Sequence, residues 1–190
     1  PIVRKRHCKI AVPVDIGMQL TPADALRFIH AYKLLMLEVL GEQEDCISGS
    51  VVPLLAKARS KLVGKPALLR RAIAQLEARN TRLDREVVTA IEGLEVRQWV
   101  YLRDTRLHSI MIDLSAERAF GVLGLTQGIR DIVGGTGVII EAGLVRYCGR
   151  YVCDGIISQV VWIGPGYRRS WNETFKEIKA SGQFHAKADV

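Results

Sequence analysis

The chain has 190 residues, of which 48% are apolar and 25% charged, with 27 Lys and Arg against 20 Asp and Glu. That balance excludes a disordered chain and leaves enough apolar surface for a full-sized core without a stabilising metal or disulfide. No stretch approaches the roughly 20 uninterrupted apolar residues that cross a bilayer, so no membrane partner is expected.

Pro1–Arg6 is basic, but no apolar run succeeds it, because Lys9, Pro13 and Asp15 break the sequence up. A secretory signal is therefore not expected, and the reading is a cytoplasmic protein. Ile10–Val14 reads as a short strand. Thr21-Pro22 then opens a helix, with a hydroxyl cap and a proline in the first turn. Apolar residues recur at Ala25, Phe28, Tyr32, Leu35 and Val39 until Gly41 ends the run. Glu42–Asp45 and Ser48-Gly49-Ser50 form a connector, and a helix from about Val51 to Leu62 comes next, broken at Gly64. Residues 57–85 hold nine Lys or Arg and only two acids, whereas residues 86–190 balance at twelve of each. A local basic excess of this kind favours a polyanionic partner such as nucleic acid; it is equally the composition of solvated helix faces.

Pro66–Leu94 carries the most specific pattern. Leu69, Leu76, Leu83 and Ala90 occupy one register position and Ile73, Asn80, Val87 and Leu94 the other, in the alternating spacing of a coiled-coil seam. Asn80 is the single polar residue of the seam, as in parallel two-stranded coils. The pattern predicts a homodimer through this helix. Leu68, Val88 and Ile91 widen the stripe, so packing on the Thr21–Leu40 helix of the same chain is the competing expectation.

Beyond Gly93 the period becomes alternating. Val96, Gln98, Val100 and Leu102 form one strand face, and Arg97, Trp99, Tyr101 and Arg103 the other. A turn at Asp104-Thr105 leads back into a strand in which His108 lies across from Tyr101 and Ile110 across from Trp99. Ala119–Leu125 reads as a strand, Thr126 as the cap of a short helix to Val133, and Gly137–Tyr147 and Arg150–Ile163 as a long hairpin. Ser170-Trp171-Asn172-Glu173 reads as a capping box opening a helix at 171–180, with a frayed tail from Ser181. The expected class is α+β: a helical region with a short N-terminal strand over 1–94, then a strand-rich region over 95–190. The second region is expected to be a small, mostly antiparallel twisted sheet or partly open barrel with a C-terminal helix.

The stretch Gly137-Val-Ile-Ile-Glu-Ala-Gly-Leu-Val-Arg-Tyr-Cys-Gly-Arg-Tyr-Val-Cys-Asp-Gly-Ile-Ile157 resembles a segment of an uncharacterised bacterial protein family with no assigned activity. The resemblance is confined to the last third of the chain and implies a bacterial origin and no chemistry.

Candidate sites are incomplete. Gly134-Gly135-Thr136-Gly137 lacks the Lys-Ser/Thr of a P-loop and reads as a turn. Gly164–Ser170 leads into a helix start with Arg168 and Arg169 beside it, an arrangement that favours an anion. Glu141 and Asp154 lie in otherwise apolar strands and are the candidate acid–base pair, although simple hairpin register keeps them apart. Cys8, Cys46, Cys148 and Cys153 show no metal-ligand spacing with the scattered histidines, so no metal or cofactor is expected. Arg97, Trp99, Tyr101, Arg103, Arg106 and His108 form an aromatic and basic hairpin face suited to stacking bases and holding phosphates. The absence of a complete catalytic motif favours a non-catalytic interaction protein that homodimerises through its helical half. The alternatives are a nucleic-acid-binding or regulatory protein using residues 57–85 and the Trp99/Tyr101 face, and a small hydrolase or phosphate-ligand enzyme built on Glu141, Asp154, Arg168 and Arg169.

Overall fold

Thr21 caps α1 (Pro22–Leu40) in this computed structural model, which describes residues 18–41 and 50–188. Its hydroxyl accepts from the Asp24 N–H at 3.2 Å, and Gly41 closes the helix at φ 74°, in the left-handed region. The strand expected at Ile10–Val14 and the Glu42–Asp45 connector lie outside the described residues. Because α1 is apolar on most sides it becomes a central helix. Phe28, Tyr32, Leu35 and Met36 are buried against α2 (Val52–Leu62), α3 (Pro66–Ala78) and α4 (Arg85–Glu92).

The heptad stretch is therefore two helices rather than one. α3 ends at Ala78, Asn80 turns the chain at φ 57°, and α4 restarts behind Asp84, whose carboxylate accepts from the Glu86 and Val87 N–H groups. The polar seam residue is turn chemistry: Asn tolerates the left-handed region, and Asp is a preferred cap. Leu69, Leu76 and Val87 are buried in the cluster organised by α1, and Ile73, Leu83 and Leu94 pack half-buried against it. The apolar positions assigned to a dimer seam are thus occupied by contacts within the chain.

The strands form a barrel. β1 (Glu95–Asp104), β2 (Ser109–Asp113), β3 (Ala119–Leu123), β4 (Val138–Tyr147), β5 (Arg150–Trp162) and β6 (Phe184–His185) lie in the order β2-β1-β4-β5-β3-β6. A further β2–β3 pairing joins the ends and closes β1 to β5 into a ring. Read as β4-β1-β2-β3, the order is a Greek key, with β5 inserted between β3 and β4. The sheet is mixed rather than mostly antiparallel, because β3 runs parallel to both β5 and β6. The long connection carrying α5 (Ile129–Val133) lets β4 return beside β1, and β5 then closes the ring on β3 in the parallel sense. Helices are accordingly not confined to the first half of the chain.

Two further boundaries differ from expectation. α6 (Pro165–Ala180) begins at Pro165, not at the Ser170 capping box, because proline is already suited to the first helical position and Gly164 supplies the extended cap. The tail after Ser181 is not frayed: Phe184–His185 adds to the edge of β3, and Ala188 is buried.

Alternation along the strands sorts side chains into three apolar groups. Trp99, Tyr101, Met111, Phe120, Ile140 and Tyr151 fill the barrel interior. Val100, Leu102, Ile110 and Ile112 face outward beneath Phe175 and Ile178 of α6. Val145, Tyr147, Val152 and Ile156 face outward on the opposite wall and join the core of α1 to α4. Leu76→Ala is expected to lower unfolding free energy by about 2–5 kcal/mol, with a thermal midpoint that does not move with protein concentration. A midpoint that rises with concentration in the unaltered chain but not in Leu76→Ala would place this leucine between chains.

Candidate functional site

The hairpin face read from the alternation is the inside of the barrel for its aromatic members. Trp99 and Tyr101 are 1% and 0% exposed, and the Trp99 indole N–H donates to the Ala142 carbonyl at 3.0 Å. Tyr101 donates to Asp104 at 2.6 Å, and burial together with that carboxylate pushes its phenol well above the usual range. Neither ring is available to a base. The expected pairings of His108 with Tyr101 and Ile110 with Trp99 are also absent. The turn holds four residues, and a register shift between Tyr101 and Arg103 pairs Tyr101 with Met111 and Arg103 with Ile110. That irregularity lets both Leu102 and Arg103 meet the outer cluster, where Arg103 lies over Phe175 and donates to Asn172 at 2.8 Å. Arg97 lies over the edge of the barrel against Trp99, at 5.3 Å, and pairs with Glu95. Arg106 is exposed, and His108 is half-buried against Gly121 and Phe184. The six residues do not form one surface.

Glu141 and Asp154 are brought together, but through a residue that motif reading missed. Arg59 of α2 is 2% exposed. Its Nη1 donates to Asp154 at 3.1 Å and to the Ile156 carbonyl at 2.6 Å, while Nη2 lies 3.7 Å from Glu141. Asp154 also accepts from the Tyr32 hydroxyl at 3.1 Å and from the Gly143 and Ile156 N–H groups at 3.2 and 3.1 Å. The hairpin register makes this possible. Pairing skips from Leu144↔Cys153 to Ala142↔Ile157, so Asp154 and Gly155 bulge out, Gly155 at φ 76°, and the carboxylate folds over Gly143. A Cβ on Gly143 would stand 2.4 Å from an Asp154 oxygen. Burial pushes the Asp154 carboxyl up, against the pull of Arg59, the Ile156 N–H and Tyr32. Glu141 accepts from Ser158 at 2.9 Å. Two carboxylates sharing one guanidinium are positioned for neutralisation rather than for a proton relay between them and a substrate.

The two thiols among the described residues are equally quiet. Burial pushes Cys153 up to about 12, and burial with the nearby Glu86 and Asp24 pushes Cys148 up to about 11, so neither supplies thiolate near neutrality. Among the described residues no three His, Cys, Asp or Glu side chains gather as a metal-holding group.

The remaining candidates, Arg168 and Arg169, stand at one end of the barrel beside two exposed aromatics. Trp162 ends β5 and Tyr167 lies in the first turn of α6, at 59% and 72% exposure. The Trp162 ring rests on Gly135, where a Cβ would come within 2.6 Å of it. The Arg168 stem rests on Gly137 of the same loop, and its guanidinium donates to the Thr136 hydroxyl at 2.9 Å, with no ion pair among the described residues. The loop is held in turn by the Gly137 N–H donating to the Tyr101 carbonyl and the Gly137 carbonyl accepting from Ile163. The glycine run that lacks a P-loop pattern is thus the floor on which an exposed indole and an unneutralised guanidinium both lie. α6 starts there without a side-chain cap. A tryptophan at a strand end, just before Gly164-Pro165-Gly166, is the sequence signal for this surface, and the alternating hairpin face is the stronger pattern that masks it. No protein-family model, curated protein or solved structure matches the chain.

Arg59→Met is expected to destabilise by about 3–5 kcal/mol, by leaving a buried carboxylate unpaired, and the double change Arg59→Met with Asp154→Leu to recover most of that loss. Equal losses for the single and double variants in urea unfolding would show that the pair does not act as a unit. His108 gives the pH dependence. Burial, then the charge of Arg150, lowers its folded value below the unfolded one of about 6.5, so the neutral ring is favoured in the fold. Its contribution is complete above that value and is lost as pH falls through the lower folded one. His108→Gln should flatten this part of the stability profile, and an unchanged profile would remove the assignment.

Proposed function

We propose that the chain is a non-catalytic protein that binds single-stranded nucleic acid at the barrel end carrying Trp162, Tyr167, Arg168 and Arg169. The observation that carries this reading is the pair Trp162 and Arg168 on one glycine floor. An indole held in place yet 59% open to solvent lies next to a guanidinium with a free charge. Exposed aromatic faces stack with unpaired bases of any sequence, and arginines beside them hold the backbone phosphates. The open amide groups at the start of α6 favour anions at the same place.

The architecture supports the reading by analogy. Five-stranded Greek-key barrels include the OB-fold, whose members bind oligonucleotides and oligosaccharides, although a fold by itself assigns no function. The basic stretch adds attraction at longer range: Lys57, Lys61, Arg71, Arg82 and Arg85 are exposed and have no ion pair among the described residues. A catalytic reading loses support because Glu141 and Asp154 share Arg59.

A second reading rests on β5. Past Val152 no described strand pairs with its outer edge, and Val160 and Val161 are exposed there. An uncharged open edge favours strand addition by a second copy, giving a homodimer by a route other than the helical half. Gln159 breaks that edge at φ 54°, which weakens continuous pairing.

Fluorescence anisotropy with a labelled single-stranded oligonucleotide tests the first reading. Trp162→Ala should weaken binding by about 1–3 kcal/mol, Trp162→Phe should keep most of it, and Arg168→Ala with Arg169→Ala should flatten the salt dependence. Affinity insensitive to both salt and Trp162 rejects the proposal.

A further inference from the structure

β3 lies beside β5 only at Tyr151 and Val152 and then leaves it. Gly124, which follows β3, pairs instead with Gln19 ahead of α1: its N–H donates to the Met18 carbonyl at 2.9 Å and its carbonyl accepts from Leu20 at 3.0 Å. The Gln127 carbonyl folds so closely over Gly124 that a Cβ there would collide with it. Past Val152 no described strand lies on the outer edge of β5. Beside that edge, at Cys153, Gly155 and Ile157, opens a cavity of about 380 Å³. Its other walls are Leu125, Ile129 and Ile132 after β3, with Ile29 of α1 and Val52 of α2.

Two observations bear on the occupant. None of the eleven lining residues is charged, in a chain of which 25% is charged, yet Val52 and Ile132 are 51% and 40% open to solvent. Walls without a counter-charge penalise a charged occupant by its desolvation and reward apolar side chains. The edge itself is the second observation. A free strand edge presents a row of N–H and C=O groups that another extended backbone matches and a small molecule does not. Gly155 brings main chain without a side chain to this edge, as strands do where another backbone comes close.

We infer that this groove takes an extended, uncharged segment of another protein, added as a strand beside Gly155–Ser158, with aliphatic side chains at alternate positions entering the cavity. An open edge alone admits a second copy; the groove favours a foreign segment. Gln159 interrupts β5 at φ 54°, so two such edges facing each other would set one interruption against another. Val160 and Val161 beyond it are consecutive and project to opposite faces, so one of them at most could enter a cavity. A segment with regular period-two alternation has neither defect. The groove contains none of Trp162, Tyr167, Arg168 and Arg169, so it and the nucleic-acid surface can fail separately.

The test is fluorescence anisotropy of the full chain with a labelled heptapeptide, Thr-Ile-Thr-Val-Thr-Ile-Thr. It should bind saturably, with an affinity that salt does not change, and slow amide exchange between Gly155 and Ser158. Replacing its valine by aspartate should weaken binding at least about tenfold. Of two versions N-methylated at the odd or at the even positions, one should weaken by a similar factor and the other bind as before, because a strand on an edge pairs through alternate N–H groups. Val52→Glu and Ile132→Glu, both at exposed positions, should each lose at least about tenfold, whereas Leu107→Glu, at an exposed apolar residue of the β1–β2 turn, should bind like the unaltered chain. Unchanged melting of each variant shows that it is folded. Sedimentation velocity should give a monomer. A dimer that Ile132→Glu dissociates would put a second copy in the groove and overturn the proposal. Absence of saturable binding, equal binding by the two N-methylated peptides, or undiminished binding by Val52→Glu and Ile132→Glu overturns it as well.

Discussion

A guanidinium removed from water governs how the two halves of this protein meet. Arg59 leaves α2, crosses the interface and ends among the Asp154 carboxylate and Ile156 carbonyl of the bulged β5 and the Glu141 carboxylate of β4. An ion buried this deeply is tolerated only where donors and acceptors are matched nearly one for one. The apolar contacts between the helices and the barrel wall, among them Phe28 against Tyr147, add adhesion that is non-directional. The arginine makes one relative placement better than its neighbours, since any slide of the helices along the sheet separates Nη1 from Asp154.

That placement is felt on both sides of the molecule. On the helical side Arg59 lines a cavity between the end of α2 and the start of α3. On the barrel side it fixes the bulge at Asp154 and Gly155, beyond which β5 pairs with β4 alone and runs out to Trp162.

Much of the architecture is legible in the chain. Thr21-Pro22 and Gly41 bound α1 as their chemistry requires, the alternation after Gly93 marks β1, and Tyr147-Cys148-Gly149-Arg150 is a tight hairpin. What escapes depends on contacts distant in sequence. A heptad records which side of a helix is apolar and says nothing of whose surface covers it, so Leu69 and Leu76 fit a dimer seam as well as the groove of α1. Strand alternation likewise separates two faces without saying which is the inside of a closed barrel, and closure depends on the β2–β3 pairing and the parallel return of β5. Arg59 is invisible for a related reason: among nine basic residues in its stretch, nothing local distinguishes the one that is buried.

The short strand at Phe184–His185 has a consequence of its own. β3 shares one edge between two partners, β5 along its second half and β6 along its first. Were the last strand to detach, Ala119 and Phe120 would present bare amide and carbonyl groups beside the apolar surface of Phe120, a template for pairing with other molecules. Phe184–His185 thus covers an edge that would otherwise be open to pairing, and because Ala188 beyond it packs with the barrel interior, losing the segment would bear on folding and on self-association together.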